Sequence, residues 1–187
     1  MRITRIASAL AIALAIATPS TGAQGQAQRA ISLGVAAGIP IPLGDFKDEV
    51  NSGWRALGTL AMGAPVTPLG LRLDAAYDRL GFRSAPIGAA GRSTGAQQIV
   101  SVTLNPTYRL ASTRAGSAQY LIAGVGPYSI SCVGVASCDG VTRVGWNAGA
   151  AARFGPGMRW LVEVRYHRVA VPDASVQYLP LTVGMLF

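Results

Sequence analysis

From about residue 30 onward the chain alternates large apolar side chains with small or polar ones at a period of two, the pattern of strands rather than helices. Leu33, Val35, Ala37 and Ile39 share one face, and Ser32, Gly34, Ala36 and Gly38 the other. Leu71, Leu73, Ala75 and Tyr77 oppose Arg72, Asp74, Ala76 and Asp78. Val100, Val102, Leu104 and Tyr108 oppose Ser101, Thr103, Asn105, Thr107 and Arg109. Val144, Trp146, Ala148, Ala150, Ala152 and Phe154 oppose Arg143, Gly145, Asn147, Gly149, Ala151 and Arg153. In the clearest segment, Trp160, Val162, Val164 and Tyr166 face away from Glu163, Arg165 and His167. Eight such segments are expected, at 30–41, 53–63, 69–82, 97–110, 118–130, 141–154, 159–170 and 177–187.

The connections predict how these strands are joined. Those at 64–68, 111–117 and 155–158 are short, whereas 42–52, 83–96, 131–140 and 171–176 are mostly longer and more polar. Short turns at one end and long loops at the other describe an all-β fold, an eight-stranded antiparallel up-and-down transmembrane barrel. The two faces have the polarity such a barrel needs. One face is bulky and nearly free of charge, as hydrocarbon requires. The other is built of Gly, Ala, Ser, Thr, Asn and charged residues, which suits the narrow interior of eight strands. A soluble barrel would reverse this. If the chain starts on the periplasmic side, Tyr108, Tyr120, Phe154, Trp160 and Phe187 fall at the periplasmic ends. Trp54, Tyr77, Tyr128 and Tyr166 then fall toward the outer ends, giving the two aromatic girdles of a membrane barrel.

Composition narrows the alternatives. Half of the 187 residues are hydrophobic and 13% are charged, too apolar a mixture for a disordered chain. No apolar run beyond the N-terminus is long enough for a spanning helix. The first residues form a targeting segment: Arg2 and Arg5, an apolar stretch from Ile6 to Ala17, the breakers Pro19 and Ser20, then small residues. Cleavage is expected after Ala23, with Ala27 the second choice, leaving 24–187 as the barrel domain. Removal of Arg2 and Arg5 lowers the net charge of +8 by two, to +6. Cys132 and Cys138, the only cysteines, read as a disulfide in an oxidising compartment. A single histidine and two thiols do not make a zinc shell, and neither a metal nor a cofactor is expected.

The last residues, Tyr178-Leu179-Pro180-Leu181-Thr182-Val183-Gly184-Met185-Leu186-Phe187, resemble the C-terminal insertion signal of outer-membrane barrels. Leu179, Leu181, Val183 and Met185 alternate on the face of Phe187. The stretches from Gly34 to Phe46 and from Leu121 to Tyr128 are similar to the bacterial outer-membrane β-barrel domain family, of the small OmpA/OmpX type. The resemblance implies outer-membrane location and engagement of the barrel-assembly machinery through the C-terminal strand. A peptidoglycan-binding domain is not expected, since the chain ends at the last strand.

The candidate interior charges are Arg55, Arg72, Asp74, Asp78, Arg109, Arg143, Arg153, Glu163, Arg165 and His167. A packed interior predicts that each acid contacts an arginine, with surplus arginines hydrated near the rims. A conducting, charge-lined pore or a small-ligand-binding barrel is the alternative. Some barrels of this size modify lipid A with a His and a Ser. Here no serine stands two residues after His167, and Ser129, Ser131 and Ser175 are undistinguished partners, so an enzyme is not expected. The arginines are spread over many strands without a basic cluster, which argues against nucleic acid. Arg79, Arg83, Arg92 and Arg168 are candidate contacts for lipopolysaccharide phosphate through bidentate guanidinium pairing. The expected role is structural or surface-interacting, as a monomer, with recognition carried by Asp45–Ser52 and the Cys132–Cys138 loop.

Overall fold

The computed structural model describes residues 31–63, 67–83, 95–113, 116–134, 140–171 and 174–187. The expected targeting segment, with both candidate cleavage sites, lies outside them. The strands are β1 (Ile31–Pro42), β2 (Trp54–Gly63), β3 (Leu69–Gly81), β4 (Ala96–Thr113), β5 (Ser117–Val133), β6 (Val141–Phe154), β7 (Trp160–Val171) and β8 (Ala174–Leu186). One four-residue helix, α1 (Phe46–Glu49), stands between β1 and β2, and a 3₁₀ turn (Pro156–Met158) joins β6 to β7. Each strand pairs antiparallel with the next, and β8 closes on β1. Closure pairs the backbone donors and acceptors of every strand, which is what permits strands to stand in a medium without water. The chain terminus completes the seam: Leu33 and Phe187 exchange both backbone hydrogen bonds, at 3.3 and 2.7 Å.

The period-two faces sort as expected. Leu33, Val35, Leu73, Val102, Leu104, Val125, Val144 and Leu181 point away from the barrel and are exposed, Val144 as much as 69%. Arg55, Arg72, Asp74, Asp78, Glu163, Arg165 and His167 point inward and are each 5% exposed or less. Leu179, Leu181, Val183, Met185 and Phe187 lie on the outward face of β8, opposite the buried Tyr178, Thr182 and Leu186.

Three expectations about extent and orientation need correction. The connection between β7 and β8 is short, because Val171 pairs with Ala174; alternation continues through Val176, so 174–176 extend the strand. Tyr128 does not join an outer girdle, since it is fully buried inside. Tyr120 shares that inward parity and packs on Ile122, Ala151, Leu161 and Leu186. Both faces of β5 are rich in apolar residues, so alternation there did not reveal which was inner. Trp146 takes the vacated outward position, 5.4 Å from the ring of Tyr166, and Trp54 lies 5.1 Å from Tyr77.

Interior glycines make space for the long side chains. Gly149 pairs with Arg165 across β6 and β7. A β-carbon there would run into the Val164 carbonyl and the stem of Arg165. Gly149→Ala should therefore lower barrel stability by about 1–3 kcal/mol, the usual cost of overpacking. Urea unfolding in lipid vesicles measures it.

Candidate functional site

The inward positions of β2, β3 and β7 assemble the charged centre. In β3, Arg72 and Asp74 are two residues apart and therefore on one face. Arg72 Nε donates to Asp74 Oδ1 at 2.8 Å. In β7 the same spacing brings Arg165 Nε to 2.5 Å from Glu163 Oε1. β3 and β7 stand four strands apart in a ring of eight, so they face each other across the interior. Arg72 Nη1 reaches Glu163 Oε2 at 2.6 Å, and Arg165 Nη1 reaches Asp74 Oδ2 at 2.8 Å. The four groups close an alternating ring of two guanidiniums and two carboxylates. Asn105 Nδ2 donates to Asp74 Oδ2 at 3.0 Å, and Arg165 Nη1 donates to the Asn105 and Asn147 side-chain oxygens at 3.4 and 3.3 Å.

A second pair lies nearer the end that carries the loops 43–53, 82–95 and 134–140, here termed the mouth. Arg55 Nη1 donates to both oxygens of Asp78, at 2.9 and 2.7 Å. The Tyr178 hydroxyl donates to Asp78 Oδ2 at 3.3 Å. The His167 ring stacks on Tyr178 with centroids 4.8 Å apart, and its Nδ1 lies 2.8 Å from the Tyr128 hydroxyl. Among the described residues, the buried interior thus holds three arginines and three acids, formally neutral. Each acid contacts at least one arginine, as burial of charge demands.

The structure does not bring the other three candidate arginines into this network. Arg143 is exposed at the mouth. Arg109 Nη2 donates to the Thr67 carbonyl and Arg153 Nε to the Met158 carbonyl, both at 3.2 Å. These positions lie near strand ends, where turn carbonyls and water can replace a carboxylate. Nor does the structure turn the three candidate serines toward His167. His167 points inward, whereas Ser129, Ser131 and Ser175 have the outward parity of their strands.

Apolar side chains close the interior on either side of the charges. At the opposite end Ile122, Ala151, Leu161 and Leu186 form a small cluster. At the mouth, Leu80, Ile99, Tyr128, Ile130, Val169, Val176 and Tyr178 pack with two residues of the first loop, Phe46 and Val50. The segment Asp45–Ser52 is thus partly a plug. Backbone bonds anchor it at several points: Leu43 N–H to Gln177 O at 2.8 Å, Asn51 N–H to Gly81 O at 2.7 Å and Arg83 N–H to Glu49 O at 2.9 Å. Sequence reading missed this because the segment is short and polar apart from Phe46 and Val50. The spacing of two apolar residues by one helical turn was the available signal.

Cys132 is disulfide-bonded, and Cys138 lies outside the described residues. Of the four candidate phosphate-contacting arginines, Arg79, Arg83 and Arg168 are exposed and Arg92 lies outside the described residues. Arg79 on β3 and Arg168 on β7 occupy opposite sides of the barrel. They therefore cannot act on one ligand as a single cluster. Parity placed both outward, but only strand order reveals their separation.

No family model matches the sequence, and neither does any curated protein. Solved structures share its architecture. The barrel is similar to Neisserial surface protein A, with a TM-score of 0.55 at 16% identity over 83% of this chain and 94% of that one. It is similar to a major outer membrane protein from Thermus thermophilus, with a TM-score of 0.51 at 14% identity over 84% and 99% of the two chains. The N-terminal β-barrel domain of Pseudomonas aeruginosa OprF gives 0.50 at 13% identity over 83% and 97%. At these identities the likeness establishes the fold: a closed, eight-stranded up-and-down barrel of the outer-membrane type.

Proposed function

We propose that the chain is an outer-membrane barrel whose role is structural or surface-interacting, with an interior filled by a neutral charge network. The single observation that carries this reading is the reversed polarity of the wall. Large apolar residues cover the outside, while arginines and carboxylates are sealed within. Tyr108, Phe154, Trp160 and Phe187 rim the band at the end of the termini, and Trp54, Tyr77, Trp146 and Tyr166 rim it toward the mouth. Two aromatic girdles about an apolar band match the two interfaces of a bilayer. The mouth, with its loops, faces the exterior in this reading. The exposed Arg79, Arg83 and Arg168 would there meet lipopolysaccharide phosphate. The outward alternation from Leu179 to Phe187 would engage the barrel-assembly machinery.

A filled interior predicts electrical silence. In planar bilayers the protein should give no steady channels. Phe46→Ala removes the ring that closes the mouth, yet the salt-bridged ring beneath remains. It should cost about 3–5 kcal/mol or less of stability and still open no lasting conductance. Steady large channels from the unaltered protein would establish a pore instead.

A further inference from the structure

The two four-stranded halves of the barrel carry an exposed cluster at matching register positions. In β3, Leu73-Asp74-Ala75-Ala76-Tyr77-Asp78-Arg79-Leu80 aligns with Val162-Glu163-Val164-Arg165-Tyr166-His167-Arg168-Val169 in β7. The neighbours follow in register. Arg79 pairs with Trp54 on one side and Gln98 on the other. Arg168 pairs with Trp146 and Gln177 in the same way. Deeper in the wall, Asp74 pairs with Thr103 and Glu163 with Thr182. In the first strands of the halves, Gly38 pairs with Arg55 and Gly124 with Asn147. A four-strand step in a ring of eight is half a turn, so the two halves are related by an approximate twofold along the barrel axis.

The duplicated cluster has one chemistry. Each copy presents an exposed guanidinium, a partly buried outward glutamine, and a Trp–Tyr pair in ring contact. In the second copy the Tyr166 hydroxyl donates to Gln177 Oε1 at 2.8 Å, and Gln177 Nε2 donates to Ser175 Oγ at 2.6 Å, which fixes the amide. Neither Arg79 nor Arg168 has an ion-pair partner among the described residues, although every arginine sealed inside has one. Below the second cluster an apolar trough of about 780 Å³ opens on the outside. Ala123, Ala148 and Ala150 line it, between Tyr108, Val164, Tyr166 and Leu179. An unpaired guanidinium at an aromatic rim, above a trough that hydrocarbon can fill, suits a ligand with an anionic head and an acyl chain.

We propose that the barrel carries two equivalent sites, on opposite sides of its wall, each seating one phosphate-bearing glycolipid of the outer leaflet. Arg79 with Gln98 and Trp54 forms one; Arg168 with Gln177 and Trp146 forms the other. This inference rests on the membrane reading above and adds the number, place and independence of the sites.

Native mass spectrometry of the full chain, released from vesicles containing lipid A, tests it. The unaltered protein should retain two lipid A molecules. Arg79→Gln and Arg168→Gln should each retain one, the double variant none, and Arg159→Gln, exposed at the opposite end of the barrel, two. Ala148→Phe, which obstructs the trough, should weaken retention in the Arg79→Gln background, where the second site alone remains, and leave it unchanged in the Arg168→Gln background. Equal retention by the double variant would overturn the proposal. So would equal retention of dephosphorylated lipid A, equal retention of phosphatidylglycerol, or loss of both lipids from either single change. Protease protection of the strands, read on the same vesicles, separates the premise from the inference. Protected strands with unchanged lipid counts sink the two sites alone, whereas unprotected strands sink the membrane reading itself.

Discussion

Replacing Asp78 with Ala should destabilise the barrel by about 3–5 kcal/mol, because it strands the Arg55 guanidinium in an interior that excludes water. Arg55 is 2% exposed, and the Asp78 oxygens are its only salt-bridge partners among the described residues. The Tyr178 hydroxyl would also lose its acceptor. Removing both charges is a different experiment. Arg55→Met with Asp78→Leu replaces the pair by side chains of comparable bulk and should recover most of the loss. A buried ion pair is seldom more stabilising than well-packed apolar residues. Urea unfolding in phosphatidylcholine vesicles reads both variants through tryptophan fluorescence. Trp54, Trp146 and Trp160 all lie on the outward face and leave the apolar surroundings on unfolding. A single variant within about half a kcal/mol of the unaltered protein would mean that Arg55 is hydrated. That would contradict a filled interior.

The same charge placed outside has a depth-dependent cost. Leu104 is exposed midway along the outward face of β4, with Leu73 and Val125 paired beside it. Leu104→Arg should cost about 2–4 kcal/mol, the value for a guanidinium at the bilayer midplane. Thr142, outward and beyond Trp146 toward the mouth, provides the control. Thr142→Arg should cost about 0–1 kcal/mol, since a side chain there reaches the interface. The difference between the two variants in the same vesicles measures the depth of the hydrocarbon band. Equal costs at both positions would show that the outward face does not meet a bilayer.

The two experiments probe opposite sides of one wall and add to one picture. An interior charge is tolerated because it is paired. An outward charge is tolerated only where water or an anionic headgroup is near. Arg79 and Arg168 satisfy the second condition by position, at the aromatic rim. Arg72 and Arg165 satisfy the first by sharing Asp74 and Glu163.

What the sequence determined by itself is the identity of the wall. Alternation at period two fixes which residues share a face, because successive side chains of a strand point to opposite sides. The contrast between Val162, Val164 and Tyr166 on one side and Glu163, Arg165 and His167 on the other decided which face is inner. Where that contrast fades, the reading fails. β5 carries apolar residues on both faces, and Tyr120 and Tyr128 went to the wrong side for that reason. What only the tertiary structure decided is which inward groups meet. Arg72 and Glu163 are far apart in sequence and come together because barrel closure sets β3 opposite β7. The same closure separates Arg79 from Arg168 and leaves a mouth that Phe46 and Val50 fold down to fill. Periodicity is a local property of the backbone, whereas partnership across a closed interior depends on strand count and register, which no single segment encodes.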